Sequence, residues 1–430
     1  MGILRNHKKQ SISIIIAILV VLWMIFFFSG IPAVPFHPDE STQIFMSSDL
    51  DLIFNDTTEL FYKYSASDDE KQSYRLLDAP LTKYTIGLAR IIFDQDTLNK
   101  DWDWSKSYNE NSEALPDQNL LIISRVAVSI FFPLSIYLFF LISKYLFANN
   151  KFLIALSVIV FSCNSLLLLH TRRAMAEGLL IFFLLLSLCA FIYLSPDKLW
   201  LSSIPIAFAI NSKQSLIFLC TSGLLILVLE NYKKIKSMLF QLFLFLSIIV
   251  GISFVFNPIT WKEPLKVTKL MVEQRTELSE NQLSAINSVT PDFTTTKFSE
   301  KIIAFVAQSF VIKPALLDIS NYEADLIQDH QSYLENPLHQ GIFRNLFVGV
   351  LVFLITCLGF IKSLFSFSKK NLILFSLTFF FFLVEVLFYL NIPFQRYYLP
   401  GLPFVLIFFV FGVDQIFDFS NHFLNKFFRK

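Results

Sequence analysis

Nine stretches of this chain run apolar for about twenty residues each, the length a helix needs to cross a hydrocarbon layer of about 30 Å. They lie near residues 11–30, 119–143, 152–170, 174–194, 214–230, 237–256, 343–365, 371–391 and 399–418, with a weaker stretch at 199–211. Inside lipid no water is present to satisfy backbone groups, so each such run must close its own hydrogen bonds as a helix. Of 430 residues, 54% are hydrophobic, 51 are Phe and 16% are charged. That is more apolar surface than a soluble core of this size hides. The expected fold is an all-α polytopic membrane protein with about ten transmembrane helices, read as a single membrane domain over 1–430. A net charge of +1 supplies no long-range field and argues against nucleic acid as a partner. Cys163, Cys189, Cys220 and Cys357 all fall in apolar runs, where a thiol serves as a small hydrophobe.

Charge position orients the spans. The first run follows Arg5, Lys8 and Lys9, and Gly30-Ile31-Pro32 offers no small-x-small cleavage pattern, so it is expected to be a retained span rather than a signal peptide. Counting 199–211 as a span places the N-terminus, Lys144, Lys151, Lys198, Lys233, Lys234, Lys236, Lys369, Lys370 and the Lys426–Lys430 tail on one side. By the positive-inside rule that side is the cytoplasm. Two hydrophilic segments then lie outside, 31–118 with seventeen Asp/Glu against seven Lys/Arg, and 257–342. Within them 81–93 and 299–316 carry the apolar spacing of amphipathic helices lying on the membrane.

The informative residues are the ones that break this pattern. Short outside loops should avoid cations, yet Arg172 and Arg173, Lys213 and Arg396 sit at their membrane edges. Each alone fits a side chain reaching lipid head groups or pairing with a local acid such as Glu177. Together on one face they fit a shared anion, most simply a phosphate, since Arg offers forked donors and Lys a compact charge. The first outside segment opens with His37-Pro-Asp39-Glu40. This carboxylate pair suits a general base for an attacking hydroxyl, and equally suits the acidic first turn of a helix. No cofactor is required by this chemistry. A divalent metal beside Asp39 and Glu40, with His37 or His170, is the one candidate, and two distant histidines give no ligand spacing for it.

These residues carry a family resemblance. Pro38-Asp39-Glu40, Asp78-Ala-Pro-Leu-Thr-Lys83-Tyr, Arg172-Arg-Ala-Met-Ala-Glu177, Asn211-Ser-Lys213-Gln and Arg396-Tyr-Tyr-Leu-Pro-Gly-Leu-Pro, in order between about residues 11 and 418, resemble the GT-C glycosyltransferases. The branch they are most similar to holds the protein O-mannosyltransferases and the lipid A aminoarabinose transferase. The resemblance implies a GT-C-like fold and transfer of a sugar from a polyprenyl-phosphate donor to a lipid, glycan or protein acceptor on the extracytoplasmic face. It implies that Asp39 is the catalytic carboxylate with Glu40 as its partner. It further implies that Lys83, Arg172, Arg173, Lys213 and Arg396 lie near the carrier phosphate, with His37, Glu177 and Tyr397 in support. Here Lys83 follows Ala-Pro-Leu-Thr instead of Pro-Pro-Leu-Gly, and Glu177 stands where many relatives have Asp.

A transporter or flippase of lipid-linked or anionic substrates is the alternative, since it too needs membrane cations. It would place them near the midplane and often in repeated halves, neither of which the sequence shows. A non-catalytic scaffold would tolerate loss of Asp39. Phe-, Ile-, Asn- and Lys-rich usage suggests an AT-rich genome, hence a bacterial cytoplasmic (inner) membrane with the active site facing outside. A shared site requires Asp39 to come within about 15 Å of at least one of the outside cations, the reach of one small ligand.

Overall fold

The structure is a computed structural model that describes residues 17–66, 69–148, 150–290, 293–317, 324–342, 344–366 and 369–428. Arg5, Lys8, Lys9, the 11–16 start of the first expected span, Arg429 and Lys430 lie outside the described residues, as do the side chains of Lys369, Lys370 and Lys426. The described residues are helical, with no strand among them.

Among the described residues, five helical stretches are long and apolar enough to cross a membrane: Gln118–Leu146, Gln214–Asn231, Ile235–Phe256, Leu346–Phe365 and Gln395–Ser420. The other expected spans are shorter apolar helices, and local chemistry explains the breaks. The 152–170 run divides into α8 (Lys151–Ser162) and α9 (Ser165–His170), because the Asn164 side chain accepts hydrogen bonds from the Leu166 and Leu167 N–H groups and caps a new helix. Within 118–146, α6 (Gln118–Ser129) gives way to α7 (Phe131–Leu146), where Pro133 has no N–H to return to the Ser129 carbonyl. The 174–194 run becomes α10 (Glu177–Tyr193). The weak stretch forms a 3-10 segment, Pro196–Ser202, leading into α11 (Ser203–Ser212).

Contacts at the helix ends sort the bundle into two poles. At one, the Tyr193 hydroxyl meets the Leu141 carbonyl, the Asn231 amide meets the Pro196 carbonyl, and Phe147 packs on Phe411 and Phe152 on Phe417. Lys144, Lys198 and Lys233–Lys236 lie beside these contacts. At the other pole Lys213 meets Glu177, and Asn257 meets Asn211. Pro196–Ser212 therefore runs from the first pole to the second. Seven 3-10 residues and ten α residues rise about 29 Å together, close to a hydrocarbon layer.

Phenylalanines fill the interior, for example Phe139 stacked on Phe161 at 4.2 Å between centroids and Phe27 against Phe132 at 5.2 Å. The outward faces remain apolar: in α13 (Ile235–Phe256), Phe240, Phe243, Val250 and Val255 are all exposed, which fits lipid as solvent. α18 (Leu346–Ser366) and α20 (Leu402–Phe428) cross at Gly359 and Gly412, where a Cβ would overlap the carbonyl oxygens of Phe408 and Ile355.

A helical cap covers the second pole. From 31–118 it takes α2 (Pro38–Met46), α3 (Asp49–Asn55), α4 (Glu70–Leu77) and α5 (Leu81–Ile92). α5 is the expected amphipathic helix, with Ile86 buried and Leu88, Ile91, Ile92 and neighbouring Phe93 exposed. From 257–342 comes α14 (Pro264–Val289), a long polar helix packed on α4 through Val267 and Met271 beside Leu76. α15 (Phe298–Val306) continues into a π-turn at Ala307–Val311, shortening the helix expected over 299–316.

Candidate active site

α2 is positioned from both ends of its first turn. His37 caps it, its ring Nδ1 accepting from the Asp39 N–H at 3.1 Å, and the Glu40 carboxylate accepts from the His37 N–H at 3.0 Å. Glu40 is then held by Arg125 of α6 through two parallel bonds of 2.7 Å, and by the Ala174 N–H at 2.8 Å. Arg125 spends its remaining donor on the carbonyls of Ile31 and Val34 at 3.0 and 2.8 Å. Burial would push the Glu40 carboxyl up, but Arg125, Arg173 and the Ala174 N–H outweigh it and hold the carboxyl below its ordinary value. Glu40 is thus a buried strut that fixes the direction of its neighbour.

That neighbour, Asp39, points to the second pole and forms an ion pair with Arg396, the Asp39 side chain 28% exposed and the Arg396 side chain 14%. Arg396 lies in the 3-10 segment Gln395–Gly401, which is pinned by Gln395, whose Oε1 accepts from the Ala315 N–H at 2.6 Å. The Tyr397 ring stands between two cations, the Arg396 guanidinium 5.6 Å and the Lys213 ammonium 5.4 Å from its centroid. Lys213, 20% exposed, donates to the buried Glu177 at 2.7 Å. Asp39, Arg396, Tyr397, Lys213 and Glu177 therefore form one connected set from four distant segments, with Asp39 in direct contact with a cation rather than merely within about 15 Å.

The other expected phosphate ligands lie elsewhere. Arg172 is fully buried, donating to the carbonyls of Phe27 and Phe26 at 3.0 and 3.1 Å and meeting His339 Nε2 at 2.8 Å. Its guanidinium occupies the space that a side chain at Gly30 would need. Arg173 is buried and donates to the Leu316 carbonyl. These two arginines tie the first span and the second external segment to α9. Lys83 is buried too and donates to Asp49 at 2.7 Å, beside a forked contact from Arg75. Burial raises the Asp49 carboxyl, and the charges of Lys83 and Arg75 outweigh it and hold it below its ordinary value.

Two groups to which the sequence reading gave no role belong to the neighbourhood. Arg125 sits inside an expected span, and a lone arginine in an apolar run was the available signal. Asp78, at the C-cap of α4, lies in the fields of Arg275, Asp39, Lys83 and Arg396; its carboxyl is raised by burial, held back by Arg275, and raised again by Asp39. No group of three or more His, Cys, Asp or Glu gathers as a metal site among the described residues. Glu40 has both oxygens engaged by Arg125.

No protein-family model matches the chain, and no curated protein matches it. Among solved structures it is similar to the Saccharomyces cerevisiae protein O-mannosyltransferase Pmt1–Pmt2 complex bound to the sugar donor, at 14% identity and a TM-score of 0.38, over 60% of this chain and 34% of that one. The likeness thus spans about a third of that chain's length.

Proposed function

We propose that this chain is a GT-C-type membrane glycosyltransferase that moves a sugar from a polyprenyl-phosphate donor to an acceptor hydroxyl at the extracytoplasmic surface. The observation that carries the reading is the contact of Asp39 with Arg396, next to Lys213 and Tyr397, at the pole away from the lysine-rich loops. Reading about ten passes, with Pro196–Ser212 as the fifth, the positive-inside rule favours that pole facing outside.

In this reading the carrier phosphate binds between Arg396 and Lys213, whose charges are only partly hidden. The phosphate competes with Asp39 for Arg396, and binding it frees the carboxylate beside the anomeric carbon. The acceptor oxygen then attacks that carbon while its proton passes to Asp39. The bond from the anomeric carbon to the phosphate oxygen breaks, its electron pair leaves with the carrier phosphate, and Arg396 and Lys213 stabilise the charge that develops. A single displacement inverts the anomeric centre. Glu177 holds Lys213 in place, and Glu40 with Arg125 holds Asp39.

The test is incubation of detergent-purified protein with radiolabelled polyprenyl-phosphate sugars of several head groups. One of them should release free carrier phosphate, and Arg396→Ala should weaken donor binding by about tenfold or more. Donor binding unchanged in both Arg396→Ala and Lys213→Ala would remove the proposed phosphate site.

A further inference from the structure

A polar cleft opens on the first external segment, one helical turn from the site, and nothing above gives it a role. Its volume is about 610 Å³, and Glu70, Tyr74, Asn99, Asp101 and Trp104 are among the residues that line it. The loop that forms its floor is built rather than slack. Trp102 is buried against Phe36 and Tyr108, with centroids 5.9 and 5.8 Å away, and Asn111 exchanges hydrogen bonds with the Asp103 backbone at 2.8 and 3.0 Å. Trp104 stands at the rim, 36% exposed.

The cleft is joined to the site along two helices. Glu70, Tyr74 and Asp78 follow at intervals of four along α4, so they share one face. On α2, Asp39 and Thr42 are three residues apart and also share a face. Asp101 lies between the two faces, accepting from the Thr42 hydroxyl at 3.2 Å and lining the cleft together with Tyr74. The cleft and the site thus share two helices, Thr42 standing one turn from Asp39 on α2 and Tyr74 one turn from Asp78 on α4.

We infer that this cleft holds the acceptor and that the acceptor is a glycan; the inference rests on the transferase reading above. An exposed indole offers a flat apolar face to the C–H face of a sugar ring. Carboxylates and amides around it accept from and donate to hydroxyls, which is the mixture a polyhydroxylated ligand needs. A lipid acceptor would need a mainly apolar lining, whereas Glu70, Asn99, Lys100, Asp101, Asp103 and Ser105 make this one mainly polar. An extended peptide would seek an unpaired strand edge, and no strand exists among the described residues. A phosphorylated ligand is disfavoured because Glu70, Asp101 and Asp103 outnumber Lys100 and Lys106 in the lining.

The experiment is titration of the detergent-solubilised full chain with free hexasaccharides of gluco, galacto and manno configuration, read by intrinsic tryptophan fluorescence. A Ser/Thr-rich peptide and phosphatidylglycerol vesicles serve as comparison ligands. At least one hexasaccharide should give a saturable change, weakened tenfold or more in Trp104→Ala and in Tyr74→Phe, while peptide and vesicles give none. Trp104 is at the surface, so a monodisperse Trp104→Ala protein is expected and keeps the comparison valid. Saturation by no hexasaccharide, saturation by the peptide alone, or undiminished binding in Trp104→Ala overturns the inference. Binding does not require donor turnover, so the two readings fail separately. Glycan binding without release of carrier phosphate sinks the transferase and leaves the cleft, and release without glycan binding does the reverse.

Discussion

Asp39 and Glu40 are adjacent in the chain and meet opposite fates. Glu40 is sealed beneath four charge-assisted or backbone bonds, whereas Asp39 stays partly open against Arg396. Removing one partner of a buried pair strands the other charge, at a cost of about 3–5 kcal/mol. Glu40→Gln is therefore expected to lower the detergent melting temperature sharply, whereas Asp39→Asn, at a half-open site, leaves it nearly unchanged. The pH response follows from the same residues. Glu40 and Asp49 have folded-state values below their unfolded ones. The stability they add is thus complete above the unfolded pKa of about 4 and is lost as pH falls through the folded value. Asp101 has the opposite sign: burial pushes its carboxyl up to about 6, so stability declines as pH rises from about 4 through 6. Melting curves across pH 3–7 should show the acid loss, and Asp101→Asn should lessen the decline between 4 and 6, to which the raised Asp78 carboxyl also contributes. In the sequence, Arg396 and Lys213 stood out as cations in loops that should lack them, and so did Arg172 and Arg173. What separated the two pairs was unreadable there. Arg172 satisfies itself on carbonyls some 145 residues away, and a charge alone does not reveal whether its partner is backbone or ligand.

At the scale of elements, apolar length located the helices and small polar residues decided where they stop. The run at 152–170 contains Asn164, whose preference for capping over helix interiors splits it. The stretch at 199–211 is weak because Pro196, Asp197 and Lys198, which open the 3-10 segment leading into it, cut its apolar length short, yet the whole still joins one pole to the other. Gly359 and Gly412 show a constraint that hydropathy cannot express, since both sit in runs that any apolar residue would extend. Their backbones meet directly in the α18–α20 crossing. Gly359→Leu is expected to force these helices apart, and should appear as loss of monodisperse protein on size exclusion, while Gly251→Leu, whose glycine faces open space, should behave as wild type. The long polar helix α14 was not foreseen, because its charges are spread around it and only Val267, Leu270 and Met271 form an inward stripe.

For the molecule as a whole, the lysine-rich loops gather at one pole and the acidic cap with the Asp39 cluster at the other. With the four native cysteines replaced by Ala, a cysteine at Thr57 should react with an impermeant maleimide added outside intact cells, and one at Lys198 only after permeabilisation. The reverse pattern would invert the proposed topology. The account's central claim is that Asp39 takes the proton of the attacking hydroxyl while the nearby cations hold the carrier phosphate. The measurement closest to it is single-turnover release of carrier phosphate from a bound radiolabelled polyprenyl-phosphate sugar, wild type against Asp39→Asn, at donor concentrations that saturate both. The account predicts a fall of about 10²–10⁴-fold in rate with donor affinity retained; release at the wild-type rate by Asp39→Asn would contradict it.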